Sequence, residues 1–141
     1  MIADERLHML RSGEPARGAY VLYWMQQAQR AIGNPALAHA IDRANGLGLP
    51  VVVGFGLTAD YPGANARHYA FMLEGLAEVA AHLRLQGMAF VPRFGDPAEV
   101  ALTLAEDAAL VVGDRGYLRH QRRWRERVAD QADCRVVQVE S

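Results

Sequence analysis

The sequence predicts a doubly wound α/β domain, with five parallel strands and helices on both faces of the sheet. Three observations carry that prediction. Apolar runs rich in β-branched and aromatic residues recur along the chain without polar alternation, as strands covered on both faces require. Segments with helical spacing of apolar residues separate these runs. An Asn-Pro pair and an Asp-Pro pair stand where a strand gives way to a helix, each supplying a cap and a preset first helical residue.

In order, Leu7 and Leu10 predict a short helix over 3–11, broken by "SGEPARG"; residues 1–18 then form a leader and 19–141 the α/β domain. "AYVLYWM" (19–25) reads as the first strand. "NPALAHAIDRANGLG" follows with Asn34 as cap, Pro35 in the first turn, and Leu37, Ala40, Ile41 and Ala44 as one stripe. "PVVVGFGL" (50–57) is the second strand. Asn65 is a plausible cap for the next helix, whose stripe runs through Tyr69, Met72, Leu73, Leu76, Val79, Ala80 and Leu83 to Gly87. "MAFVPRF" (88–94) is the third strand, and Pro92 inside it argues for an edge position. Asp96, Pro97 and Glu99 then resemble a capping box. "ALVVG" (109–113) and "RVVQVE" (135–140) are the fourth and fifth strands, with a helix from "DRGYLRHQRRWRERV" (114–128) between them.

The totals exclude several classes of function. With 141 residues, 51% apolar and 22% charged, the chain suits one globular domain with a continuous core. A net charge of −1 excludes a general polyanion binder, so attraction to nucleic acid would need a local patch. All 15 basic residues are arginine, which high genomic GC content explains as readily as phosphate recognition does. Cys134 is the single cysteine, so no disulfide framework or cysteine-based zinc site is expected; it reads as a small buried hydrophobe. The N-terminus lacks the pattern of a secretory signal and no apolar run is long enough to cross a bilayer, so a soluble cytoplasmic protein is expected, without membrane partners.

In parallel sheets ligands gather beyond the carboxyl ends of the strands, where strand order reverses. The segments after Met25, Leu57, Phe94 and Gly113 are therefore the places for chemistry. No G-x-G-x-x-G follows the first strand, "GFGL" has no third glycine opening a helix, and a Walker loop is absent. The histidines show no ligand spacing, so no metal is expected. Neither Ser12 nor Ser141 sits in a nucleophile elbow, and no catalytic residue stands out. What collects at the strand ends is aromatic and polar: Trp24 and Met25 on the first strand, Phe55 and Leu57 on the second, and Asp114, Arg115, Gly116, Tyr117 and Leu118 after the fourth. Aromatic side chains in such places most often pack helix against sheet. Concentrated here, they also suit a slot for a flat, conjugated ligand, and these nine are the candidate cofactor-binding residues.

Four blocks, "YVLYWMQQAQRAIGNPAL", "PVVVGFGLTADYPGANARHYAFMLEGLAEV", "GDPAEV" and "LVVGDRGYLRHQRRWRERVA", resemble the N-terminal domain of class II cyclobutane pyrimidine dimer photolyases. The Y-W-M at the first strand end, the R-H-Y-x-F-M-L-x-G-L helix and the D-R-G-Y-L-R-x-Q-R-x-W segment carry the resemblance, which runs from about Arg6 to the C-terminus. One position departs from the family pattern: Gly33 precedes Asn34, where an acidic residue is common. The resemblance implies a Rossmann-like domain of five parallel strands in which photolyases carry an antenna chromophore such as a deazaflavin or a folate. It implies further that the catalytic FAD, the electron-transfer chain and the contact with UV-damaged DNA belong to a larger helical domain on the C-terminal side. No catalytic residue carries over to this chain.

The resemblance thus implies an antenna and scaffold domain of a light-driven DNA-repair lyase that does not repair alone. Its expected partner is the helical FAD-binding domain, and it reaches damaged DNA only through the complete enzyme. The rival reading is a free-standing nucleotide-binding module of the stress-protein kind; a third is a remnant that only pairs with other proteins. The arginine-rich segment reads mainly as a helix with Trp124 and Val128 toward the sheet and Arg119, Arg122, Arg123, Arg125 and Arg127 fanning outward. A contact with the helical domain, or weak phosphate attraction, is the functional alternative for those arginines.

Overall fold

The computed structural model describes residues 7–11, 18–25, 34–57, 66–114, 119–132 and 134–139. Ten elements follow one another: β1 (Leu7–Arg11), β2 (Tyr20–Trp24), α1 (Pro35–Leu47), β3 (Val51–Leu57), α2 (Ala66–Leu85), β4 (Ala89–Phe94), α3 (Pro97–Ala105), β5 (Ala108–Asp114), α4 (Arg119–Gln131) and β6 (Arg135–Val139). They form one sheet in the order β1-β6-β5-β2-β3-β4. Strands β2 to β6 are mutually parallel, as the alternation of strands and helices requires.

Strand β1 corrects the expected helix over 3–11. It pairs antiparallel with β6, Leu7 in register with Val139 and Met9 with Val137, so the sheet has a sixth strand. The outer backbone groups of β6 would otherwise be an open edge, and pairing there outweighs the weak helical spacing of a five-residue segment.

Strand alternation divides the core in two. On one face Val21, Tyr23, Met25, Val53, Phe55, Leu57, Leu110, Val112, Val137 and Val139 pack with α1 and α2. On the other, Leu22, Trp24, Val111 and Val136 pack with α3 and α4. Strand β5 is buried along its whole length, which is why it reads as unbroken apolar sequence. Cys134 is buried, as expected of a small hydrophobe.

The caps form as the sequence predicts. Asn34 Oδ1 accepts from the Leu37 N–H at 3.0 Å, and Asp96 Oδ1 accepts from Ala98 at 2.8 Å and Glu99 at 3.3 Å. Pro35 and Pro97 occupy the first turns. The expected cap at Asn65 lies outside the described residues. Strand β4 is the edge that Pro92 signalled.

The two glycines of "GFG" serve packing. A Cβ on Gly56 would lie 2.6 Å from Pro97 Cα, so β3 can pass beneath the start of α3 only without a side chain there. Arg127 then ties α4 to the same helix start, 3.2 Å from Glu99 and 3.6 Å from Asp96. Those pairs are well exposed and contribute little energy; they mark where the two helices meet.

Candidate functional site

Strand order reverses between β2 and β5, since β3 and β4 continue on one side of β2 while β5 and β6 lie on the other. The carboxyl ends of those two strands therefore flank the crevice in which this kind of sheet binds ligands. A buried polar network closes the α1 side of it. The Tyr23 hydroxyl, reaching from β2, lies 2.8 and 2.9 Å from the two carboxyl oxygens of Asp114 at the end of β5. The Asn34 side-chain amide donates to the same hydroxyl at 2.9 Å. Asn34 thus divides its functions, its oxygen capping α1 and its nitrogen holding Tyr23. Tyr23 and Asp114 are fully buried and Asn34 nearly so, so every polar atom here needs a partner. The network fixes the start of α1 and the ends of β2 and β5 relative to one another.

Among the nine predicted residues, Met25, Phe55, Leu57 and Asp114 fall on this face of the sheet and are buried. Trp24 is buried on the opposite face, because adjacent strand residues point opposite ways. Glycine stands level with it on both neighbouring strands, Gly54 on β3 and Gly113 on β5. Arg115, Gly116, Tyr117 and Leu118 lie outside the described residues. Among the described residues, Trp24 Nε1 is the one buried side-chain nitrogen or oxygen without a hydrogen-bond partner. Its N–H is enclosed within the core that Leu22 and Val111 form with α3 and α4. The predicted strand-end residues are thus divided between the two faces of the sheet, Met25, Phe55, Leu57 and Asp114 on one and Trp24 on the other.

The linkage of Tyr23 and Asn34 to Asp114 is not legible in the sequence. Each was visible separately, as a strand aromatic and as a helix cap, and sequence carries no signal for contacts across such separations. The arginine helix also needs correction. Arg122 and Arg123 are exposed as expected, but Arg125 is only 8% exposed, on the inward stripe with Val128 and Ala132. Trp124, half-buried, packs against the α3/α4 core as expected, and Arg125 beside it is buried as well. Among the described residues no cluster of three or more His, Cys, Asp or Glu could hold a metal ion, and no helix is long and apolar enough to cross a membrane.

Comparison with known proteins bears on this arrangement. The family model for DNA photolyase matches residues 21–141, from within β2 to beyond β6. The chain belongs to the DNA photolyase family. A deoxyribodipyrimidine photo-lyase from Methanothermobacter thermautotrophicus is 46% identical over 142 residues, covering all of this chain and 32% of that protein. One from Arabidopsis thaliana is 36% identical over 110 residues, covering 77% of this chain and 22% of its own length. The chain thus spans a third or less of these photolyases. Among solved structures, the universal stress protein from Archaeoglobus fulgidus in complex with dAMP superposes with a TM-score of 0.57 at 16% identity, over 87% of this chain and 98% of that one. A putative universal stress protein from Pseudomonas aeruginosa reaches 0.63 at 14% identity, over 92% of this chain and 50% of its own. These likenesses show the shared α/β fold. The matched residues include both Tyr23 and Asp114, the carboxyl that Tyr23 holds.

Proposed function

We propose that this chain is the antenna and scaffold portion of a class II cyclobutane pyrimidine dimer photolyase. The family match over 21–141 carries the reading. The buried, orphaned Trp24 Nε1 beside the strand-order reversal supports a bound pigment, a deazaflavin or a folate. When bound, the pigment supplies absorption and passes excitation to a reduced FAD held elsewhere in the complete enzyme. Energy transfer needs proximity and orientation, so what this chain must do is bind and orient. Met25, Phe55 and Leu57 supply apolar backing on one face of the sheet, beside the Asp114 carboxyl that Tyr23 keeps in place, and Trp24 offers a donor and a ring at the same strand ends from the other face. On this reading Arg115, Gly116, Tyr117 and Leu118, which follow Asp114 in sequence, supply further contacts. Helical FAD domain and damaged DNA are the partners of the complete enzyme on this reading, and the chain alone performs no repair.

A hybrid tests this directly. The 141-residue chain, incubated with a thymine-dimer oligonucleotide under blue light, is expected to leave the dimer intact. Placed in the Methanothermobacter photo-lyase instead of the matched third, it is expected to support repair. Repair by the chain alone, or a hybrid that binds FAD normally and repairs nothing, contradicts the reading.

A further inference from the structure

Strand β4 leaves an edge that is closed to one kind of partner and open to another. Gly95 N–H donates to Leu57 O, which sets the parity of the strand: the backbone groups of Val91 and Arg93 face β3, and those of Phe90, Pro92 and Phe94 face outward. Pro92 has no N–H, and its carbonyl accepts from the guanidinium of Arg93 at 3.1 Å. The middle of the edge therefore offers neither a donor nor an open acceptor, and an added strand finds no ladder there.

The side chains at the same place are apolar and uncovered. Phe94 is 86% exposed and Leu73, facing it from α2, is 49% exposed. Between them runs a groove of about 300 Å³ lined by Phe55, Leu57, Leu76 and Phe90. A second groove of about 280 Å³ lies on the other side of Phe94, where Val100 and Leu104 of α3 are joined by Arg93, Asp96, Glu99 and Thr103. Single exposed apolar residues are ordinary, whereas a protruding ring at the rim of an apolar groove, with Leu73 uncovered across it, marks an interaction site.

We infer that this surface is where the remaining two thirds of a photolyase-length chain packs, by laying an apolar helix face over Phe94 and Leu73. The inference rests on reading the chain as one portion of a longer photolyase. The relatives supply the occupant, since the matched segment is 32% of the Methanothermobacter protein. Geometry allows the reach: β6 and β4 are parallel, so polypeptide continuing from β6 emerges at the Phe94 end of the sheet, four strand spacings away, or about 19 Å. Arg93 is the one charged side chain lining the larger groove, which favours an acidic residue at the rim of the incoming helix.

Hydroxyl-radical footprinting of the chain alone and of the hybrid photolyase decides the matter. Oxidation of Phe94 and Leu73 is expected to fall about fivefold in the hybrid, as at a buried interface core. Leu85, 87% exposed and outside both grooves, should be unchanged. The aligned positions of the intact Methanothermobacter protein give the same readout without a hybrid. Equal oxidation in both contexts overturns the inference. So does protection in the chain alone that rises with concentration and vanishes in Phe94→Asp, which assigns the surface to a second copy. A hybrid that repairs dimers with Phe94 still exposed sinks the docking surface alone; protection without repair sinks the functional reading.

Discussion

Tyr23→Phe is expected to destabilise the domain by about 2 kcal/mol, the scale of losing a buried hydrogen bond to a charged or strongly polar partner. The substitution keeps the ring and removes one hydroxyl that serves Asp114 and Asn34 together. Both partners are buried, so water does not replace the lost contacts without opening the strand ends. For a domain of this size the loss corresponds to a fall in Tm of roughly 6 °C. Asp114→Asn in the same background should recover part of it, because an amide demands fewer donors than a carboxyl group. Thermal denaturation of the two single variants and the double variant gives the coupling, expected at about 1 kcal/mol for side chains in direct contact. Additive losses would mean that Tyr23 and Asp114 do not act as a unit.

Gly56→Ala is expected to cost about 3 kcal/mol, at the upper end of overpacking in a close-packed interior. The new methyl would meet Pro97 Cα at 2.6 Å and Pro97 N at 3.3 Å. Those are backbone atoms at a helix start held by Asp96, so relief requires moving α3 off the sheet. Gly54→Ala is the internal comparison. Its Cβ would meet Leu104 Cδ1 at 2.6 Å and Leu22 Cδ1 at 3.2 Å, the ends of side chains that can rotate away. Its cost should be nearer 1 kcal/mol. Urea denaturation of the two variants tests the ranking; equal losses would show that α3 yields as easily as a leucine side chain.

Much of this fold is legible because local rules and tertiary structure agree. Pro92 marks the outer strand, Asn34-Pro35 and Asp96-Pro97 mark helix starts, and the unbroken apolar runs mark strands covered on both faces. The failures share one cause, which is that they depend on neighbours distant in sequence. Residues 7–11 become a strand because β6 presents an open edge, a fact absent from those five residues. Arg125 is buried alongside the core-packed Trp124, and only the surface beneath α4 decides that. The glycines of "GFG" suggest a failed phosphate loop until the passage of α3 over β3 gives them a steric role. At the candidate site the sequence points to the strand ends that flank the strand-order reversal. It does not show that Trp24 lies on the opposite face from Met25, Phe55, Leu57 and Asp114, or that Tyr23 and Asn34 secure the carboxyl.

The most direct measurement is a fluorescence-anisotropy titration of a deazaflavin, and in parallel a folate, with the purified chain. The account predicts saturable binding of one of the two, unaffected by excess ATP and weakened in Trp24→Phe, which keeps a ring and removes the orphaned N–H. Failure of both pigments to saturate, with ATP binding in their place, would contradict it and favour a free-standing nucleotide-binding module.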